Sequence, residues 1–317
     1  MTTATRHPSA PGSPTGPAGP TGPTGPRTVR VPVDGGELTC GVWGPEDPDA
    51  PVVLAVHGIT AHHRCWPLVA EALPGHRVVA PDLRGRGRSA TLPAPYGLEQ
   101  HARDLEQVLD HLDVARVGLV GHSMGAFVVL TLAARIGERA TGLVLVDGGL
   151  PLLAPAGGAP SPTATPDDEL GPAAARLRMT FESHEVYRDF WREHPAFAHD
   201  WSPVVEGYVD YDLEGQAPHL KPSAVVDAVA ADASQLFGGA AYEAAMRAVR
   251  VPATFLRAPR GLMDEPQALY PPDAAERARE WLPQLRDVEV DDVNHYTIVL
   301  GPRGAEAVVA ATRELPA

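Results

Sequence analysis

The sequence predicts an α/β fold: a mostly parallel eight-stranded sheet flanked by helices, with a helical insertion after the sixth strand. Short apolar runs alternate with helical patterns over residues 28–150 and again from residue 251 onward. Several of these runs, such as Val52 to Val56, are apolar at every position, which is typical of strands buried on both faces. The alternation stops between about 150 and 250. Strands that alternate with helices indicate a parallel sheet, and the interruption indicates an insertion.

Eight strands are predicted, each from a short run rich in apolar or β-branched residues. The first two enclose Asp34-Gly35-Gly36, which is a hairpin signal. The predicted strands span residues 28–33, 37–43, 52–56, 77–80, 117–120, 143–146, 253–257 and 288–290. The helices predicted between them and after them span residues 64–73, 98–112, 126–134, 274–281 and 304–313. The sixth strand therefore ends just before the segment in which the alternation fails.

The chain divides into regions of different composition. Residues 1–27 are almost all Pro, Gly, Thr, Ser and Ala, and we expect a disordered tail there. Residues 28–150 and 251–317 are expected to form the core of the fold. Residues 151–250 open with a Pro-, Ala- and Gly-rich linker, 151–166, and hold more than half of the aromatic residues. We expect this helical insertion to cover the carboxyl edge of the sheet, where open α/β sheets bind ligands.

Charge and cysteine content narrow the class of protein. The formal charge of −14 and the pI near 5.3 argue against nucleic acid or an anionic membrane as the main partner. Cys40 and Cys65 are the only cysteines, so no disulfide framework is implied and a reducing compartment is expected. The sequence contains no apolar run of membrane-spanning length and no apolar segment typical of a secretory signal. We therefore expect a soluble, cytoplasmic protein that acts on a small molecule, without a prediction for its oligomeric state.

The fifth strand leads into Gly121-His122-Ser123-Met124-Gly125, which is a G-x-S-x-G sequence. A serine in a sharp strand-to-helix turn adopts a strained backbone conformation that requires small neighbours. Gly121 and Gly125 provide that room, and the positive end of the following helix lies beside the hydroxyl. The sequence therefore predicts Ser123 as a nucleophile at the carboxyl edge of the sheet.

A serine hydroxyl needs an adjacent base, and the base needs a carboxylate that orients it. His295 follows the last strand and precedes the last helix, so we expect it at the same edge of the sheet as Ser123. Asp264 lies in a loop after the seventh strand and is the preferred acid. Asp147, at the end of the sixth strand, and Glu265 are the alternatives, and geometry rather than residue type decides among the three.

Four short motifs occur in an order and spacing that suit this arrangement. They are His57-Gly58, Asp82-Leu83-Arg84-Gly85-Arg86-Gly87-Arg88-Ser89, Gly121-His122-Ser123-Met124-Gly125 and Asn294-His295. On these motifs the chain resembles the α/β-hydrolase family over about residues 28–315, and the order Ser123, Asp264, His295 matches that family's nucleophile, acid and histidine. The resemblance implies that the insertion is a helical cap. It also implies an oxyanion hole made by the backbone N–H groups of Ile59 and Met124, which would stabilise a tetrahedral intermediate without reorganising.

These residues predict a serine hydrolase that cleaves an ester-like bond of a small or medium, partly apolar substrate through an acyl-enzyme. The same three groups could act on a thioester, a lactone or a C–C bond, or form a peracid without a cofactor. A ligand-binding protein on the same scaffold is the hypothesis from a different class. No cofactor is expected, and no metal either, because the histidines of the insertion lack the spacing of a zinc site.

Overall fold

The structure, a computed structural model, describes residues 25–152 and 175–316. Most of the predicted tail, residues 1–27, and of the predicted linker, residues 151–166, lies outside these ranges. The strands of the described residues are β1 Arg27–Val33, β2 Gly36–Trp43, β3 Val52–Val56, β4 Arg77–Pro81, β5 Val117–His122, β6 Ala140–Val146, β7 Leu213–Gln216, β8 His219–Pro222, β9 Ala253–Arg257 and β10 Leu285–Glu289.

Eight of these strands form one sheet, in the order β1-β2-β4-β3-β5-β6-β9-β10. β2 pairs antiparallel with both β1 and β4, and the other neighbouring pairs are parallel. The predicted mostly parallel, eight-stranded sheet is therefore confirmed. The carboxyl ends of β3, β5, β6 and β9 meet at one edge, because these strands are parallel neighbours.

The helices of the described residues are α1 Pro67–Glu71, α2 Leu98–His111, α3 Met124–Ile136, α4 His184–Arg192, α5 Pro203–Asp212, α6 Val226–Ala233, α7 Ala240–Ala248, α8 Ala274–Ala278, α9 Thr297–Leu300 and α10 Pro302–Arg313. They cover both faces of the sheet. In β3, Leu54 belongs to the apolar cluster that includes α2 and α3, while Val53 belongs to the cluster that includes α1 and α10. Successive side chains of a strand point to opposite faces, so a strand covered on both faces is apolar throughout.

The helical insertion follows β6, as predicted, and it also contains an antiparallel hairpin of β7 and β8 that the sequence did not predict. β8 alternates exposed and buried positions, but over only four residues, and β7 has a single buried residue. Within it only Leu213, Leu220 and Pro222 are buried. An alternation this short is too weak a signal to predict a strand from the sequence.

Two predicted helices are clearly shorter in the structure, and the one predicted over residues 274–281 ends at Ala278. Residues 64–73 form a 3₁₀ turn, His63–Cys65, followed by α1, which begins at Pro67. Proline has no backbone N–H to donate to the preceding turn, so it starts a helix more readily than it continues one.

Candidate active site

Ser123 stands at the turn between β5 and α3, with backbone angles of φ 55° and ψ −125°. A positive φ is uncommon for residues other than glycine. The neighbours of the turn are small by necessity: a Cβ on Gly121 would lie 2.3 Å from the carbonyl oxygen of Gly125, and one on Gly148 would lie 2.1 Å from that of Ser123. The strand, the strained turn and the helix that a nucleophilic serine requires are therefore all present.

His295 lies in the loop between β10 and α9 and is 4% exposed. Its Nδ1 atom is 2.6 Å from Oδ2 of Asp147. Because a carboxylate only accepts hydrogen bonds, Nδ1 carries a proton, and Nε2 keeps a lone pair when the ring is neutral. The backbone carbonyl of His295 accepts a hydrogen bond of 2.8 Å from Nε2 of His122, which fixes the loop to the serine turn.

Asp147, rather than the preferred Asp264, is the carboxylate that contacts His295, and this corrects the sequence-based expectation. Asp147 follows β6 directly and is fully buried. Its second oxygen, Oδ1, accepts the backbone N–H of Ala258 at 3.1 Å. Both oxygens therefore have partners, which a buried carboxylate requires.

Asp264 lies elsewhere, with a side chain that is 31% exposed. Its Oδ1 accepts hydrogen bonds from Nε of Arg260 at 2.6 Å and from Nδ2 of Asn294 at 3.0 Å. Glu265, the other alternative, accepts the backbone N–H of Met263 at 2.6 Å. Asp264 thus holds the loop that precedes His295, through Asn294, and does not hold the imidazole.

The two residues expected to form an oxyanion hole lie beside Ser123. Ile59 follows β3, and a Cβ on the preceding Gly58 would lie only 3.0 Å from Cβ of Ser123. Met124 is the first residue of α3, so its N–H is one of the helix N-terminal donors without a partner in the helix. The backbone around Ile59 and the start of α3 therefore flank the serine from two sides.

A cavity of about 110 Å³ is lined by both Ser123 and His295. One water molecule needs roughly 10–15 Å³ by this measure, so the space suits a ligand of several non-hydrogen atoms. Among the described residues of its wall, none has an Asp, Glu, Lys or Arg side chain. Much of the wall is aliphatic, including Leu152, Leu236, Leu262, Leu269, Val299 and Leu300.

Three buried histidines near the site are neutral at pH 7. Burial lowers the pKa of His57 to about 3 and that of His62 to about 4, and it lowers the pKa of His122 well below its usual value. Nε2 of His57 accepts the backbone N–H of Leu83 at 2.9 Å, so its Nδ1 donates to the carbonyl oxygen of Gly58 at 2.8 Å. Both ring nitrogens of His62 are buried without a hydrogen-bond partner among the residues that the structure describes.

The arginine-rich turn at residues 82–89 packs beside the site. Arg84 pairs with Asp104 at 2.8 Å, and Arg86 pairs with Asp232 of α6 at 2.5 Å, all four side chains being buried. Arginines that already have carboxylate partners in the interior are unsuited to bind a phosphate. This turn is therefore structural, as its lack of a P-loop pattern indicated.

Sequence reasoning missed a set of contacts between the insertion and the backbone that follows β3. Nη2 of Arg176 donates to the carbonyl oxygen of Thr60 at 3.1 Å, and its Nη1 donates to Oδ2 of Asp212 at 3.1 Å. No motif surrounds Arg176 or Asp212 in the sequence. Their proximity to Thr60 depends on how the insertion packs, which no local pattern records.

Within the described part of the chain, no group of three or more His, Cys, Asp or Glu side chains is placed to hold a metal ion. No helix there has both the length and the apolar character needed to cross a bilayer. Cys40 and Cys65 are buried and free.

A parallel sheet with a serine at a strained strand-to-helix turn, beside a histidine–carboxylate pair, defines the class of α/β proteins with hydrolase-type sites. A family model for the alpha/beta hydrolase fold matches residues 51–183. The solved structure of E-2-(acetamidomethylene)succinate hydrolase superposes with a TM-score of 0.74 at 21% identity, over 90% of this chain and 98% of that one. The chain therefore has the alpha/beta hydrolase fold.

Two curated relatives show how much of the sequence is shared. Lipase LipV of Mycobacterium tuberculosis is 39% identical over 105 residues, which is 33% of this chain and 39% of the lipase. The putative carbamate hydrolase RutD of Variovorax paradoxus is 43% identical over 109 residues, 33% of this chain and 40% of RutD. The chain thus matches about two fifths of the length of these relatives.

Proposed function

We propose that the protein is a serine hydrolase that cleaves an ester-like bond, with Ser123 as nucleophile, His295 as base and Asp147 as the acid that orients the base. The observation that carries the proposal is the 2.6 Å contact between Nδ1 of His295 and Oδ2 of Asp147, beside a cavity that Ser123 also lines. That contact puts the proton of the neutral ring on Nδ1. Nε2 is then free to accept the proton of a serine hydroxyl.

The proposed cycle follows from these positions. Ser123 attacks the carbonyl carbon while His295 takes its proton, and Asp147 stabilises the resulting imidazolium. The backbone N–H groups of Ile59 and Met124 hold the oxygen that becomes negative, and a fixed donor of this kind is worth about 3–4 kcal/mol in the transition state. His295 then protonates the leaving group, and it later activates the water that releases the acyl group from the serine.

The wall of the cavity supports a neutral and partly apolar substrate. Without an Asp, Glu, Lys or Arg side chain among its described residues, the wall offers no oppositely charged side chain of these types to a carboxylate or an ammonium group of the substrate. The relatives carry the names of a lipase and a carbamate hydrolase. Ester hydrolysis is therefore the activity that we propose, with a thioester or a lactone as the nearest variations of the same chemistry.

We also propose that residues 28–150 and 251–317 form the hydrolase core and that residues 151–250 form a cap over the site. Leu236 of this segment lines the cavity, as does Tyr208, which supports that division. A cytoplasmic location is part of the proposal. It is supported by the two free, buried cysteines.

Labelling with a fluorophosphonate and hydrolysis of a series of p-nitrophenyl esters test the proposal. We expect the wild-type protein to be labelled on Ser123 and to prefer uncharged acyl chains. Ser123→Ala should lower kcat by at least about 10,000-fold without lowering the melting temperature. A folded wild-type protein that neither reacts with the probe nor hydrolyses any ester would instead indicate a ligand-binding protein.

A further inference from the structure

The loop Gly58–Ala61, called here the oxyanion loop, presents three successive carbonyl groups to buried donors. Nδ1 of His57 donates to the Gly58 oxygen at 2.8 Å, Nε of Arg86 to the Ile59 oxygen at 2.9 Å, and Nη2 of Arg176 to the Thr60 oxygen at 3.1 Å. A peptide unit is planar and trans, so fixing its carbonyl also fixes the direction of the N–H on its other side. The first of these units contains the N–H of Ile59.

Both arginines are paired with carboxylates of the insertion. Arg86 pairs with Asp232 on α6 at 2.5 Å, and Arg176 pairs with Asp212 at the end of α5 at 3.1 Å. In each pair both side chains are at most 3% exposed. The oxyanion loop is therefore connected to the insertion by two guanidinium groups, each shared between a loop carbonyl and a buried carboxylate.

The second of these connections is the more extensive. Tyr187 and Ser223, both from the insertion, donate their hydroxyls to Asp212. The guanidinium of Arg176 also lies 5.1 Å from the ring centre of Trp191. Asp212 and Arg176 are thus held from several sides, which restricts the position of the donor to Thr60.

Stability alone gives no reason for this arrangement. Replacing a buried ion pair with apolar side chains of similar volume is often neutral or stabilising, because desolvation of the charges offsets their attraction. An oxyanion donor, in contrast, must lie within about 2.7–3.1 Å of the position that the oxyanion will occupy. A misplacement of about 1 Å can cost on the order of 100-fold in rate.

We propose that Arg176 is a positioning residue, which holds the oxyanion loop through the carbonyl group of Thr60. Because Arg176 is itself held by Asp212, the geometry of the oxyanion hole depends on how the insertion packs on the core. Arg86 and Asp232 form the corresponding connection at Ile59. This inference rests on the proposed function, since it assigns the Ile59 N–H to the transition state.

The test compares Arg176→Met with Arg192→Met. Arg192 is also an arginine of the insertion, but its carboxylate partners are the surface residues Glu185, Asp189 and Glu206, and its guanidinium lies over the ring of Trp201. We expect Arg176→Met to lower kcat for a p-nitrophenyl ester by about 10- to 100-fold, with KM within about threefold of the wild-type value. Arg192→Met should leave both constants within about twofold.

Two inhibitors separate positioning from a general loosening of the site. A trifluoromethyl ketone forms an adduct with the serine that places an oxyanion in the hole, whereas the matching alkyl ether only fills the cavity. For Arg176→Met we expect the inhibition constant of the ketone to rise by the same factor as kcat falls. The affinity for the ether should stay within about threefold of the wild-type value.

Equal weakening of both inhibitors, or an unchanged inhibition constant for the ketone, would overturn the proposal. If Arg176→Met does not fold, the Asp212→Asn variant is measured instead. It keeps the guanidinium of Arg176 but removes the carboxylate that pairs with it. It should give about a 3- to 10-fold loss in kcat and in ketone affinity, and no loss in either would also overturn the proposal. The wild-type protein must first hydrolyse the ester and lose this activity with Ser123→Ala, so a failure of the proposed function appears before any of these variants is compared.

Discussion

Two aspartates that follow neighbouring strands differ in their burial and in their contacts. Asp147, after β6, is fully buried, and its oxygens contact the imidazole of His295 and the N–H of Ala258. Asp264, in the loop after β9, has a side chain that is 31% exposed and contacts Arg260 and Asn294. Both aspartates have positive φ angles, 43° and 58°. Backbone conformation therefore does not distinguish them.

The two carboxylates differ in how soon each follows its strand and therefore in how deeply it is buried at the edge of the sheet. β6 is the direct neighbour of β5, and β5 leads to Ser123. Asp147 is the first residue after the end of β6. Asp264 comes several residues after β9 has ended, and its side chain is partly exposed to solvent. A carboxylate that orients an imidazole must lie within hydrogen-bond reach of it, so the earlier and deeper position satisfies the requirement.

The largest effect should follow from Asp147→Asn. The amide keeps the shape of the carboxylate but no longer stabilises the imidazolium, and it favours the wrong tautomer of His295 when it donates to Nδ1. We expect kcat to fall by about 1,000- to 10,000-fold for a p-nitrophenyl ester, with the melting temperature little changed. Steady-state kinetics and circular dichroism measure the two quantities.

The matched control is Asp264→Asn, which makes the same chemical change one strand away. If Asp264→Asn lost more activity than Asp147→Asn, the assignment of the acid to Asp147 would be wrong. A small loss in both variants would mean that His295 does not depend on either carboxylate.

The parallel part of the fold could be predicted because its signal is local. Val52 to Val56 is apolar at each position, and the strand has these bounds in the structure. The strained turn at Ser123 could be predicted for the same reason, since Gly121 and Gly125 lie within two residues of it and meet the steric demand of the turn. The contact expected between Asp264 and His295 was wrong, because which carboxylate reaches the imidazole depends on distances between loops that are far apart in the chain.

The structure of the insertion also depends on contacts that sequence patterns do not predict. The hairpin of β7 and β8 has few buried side chains, and the alternation in β8 covers only four residues. Arg176 and Thr60 are more than a hundred residues apart, and their contact depends on the packing of the insertion on the core. Sequence patterns of short range predict elements and strained turns, whereas contacts of this kind need the tertiary structure.

Asp147 is buried and hydrogen-bonded, whereas His62 is buried but has no hydrogen-bond partner among the described residues. His62 therefore shows the effect of burial alone. Burial lowers the pKa of His62 to about 4, and nearby Asp212 and Asp82 only partly offset this. In the unfolded chain, the imidazole of His62 is protonated near pH 6.5, whereas in the folded state it is protonated only near pH 4. Stability is therefore lost as the pH falls through this window, by about 1.4 kcal/mol per unit.

His62→Phe should remove that loss. The imidazole lies 4.5 Å and 4.8 Å from the ring centres of Tyr208 and Tyr211, so a phenyl ring has aromatic neighbours there. Relative to the wild-type protein, we expect the variant to gain about 2 kcal/mol of unfolding free energy between pH 7.5 and pH 5.0. Urea unfolding at the two pH values measures the gain, and parallel pH dependences would show that His62 titrates normally. The variant retains His57 and His122, so their contributions cancel.

The smallest effect should come from Asp264→Asn, because Asp264 is the partly exposed one of the two aspartates. Its ion pair with Arg260 is accessible to solvent, and pairs of this kind contribute about 0–1 kcal/mol. The amide oxygen of an asparagine can still accept the hydrogen bond from Nδ2 of Asn294, so the loop before His295 keeps its main contact. We therefore expect kcat within about threefold of the wild-type value and an unfolding free energy lower by less than about 1 kcal/mol. Kinetics and urea unfolding, measured beside Asp147→Asn, check both values. A loss of about 1,000-fold or more in kcat would show that this loop controls His295 as strongly as Asp147 does.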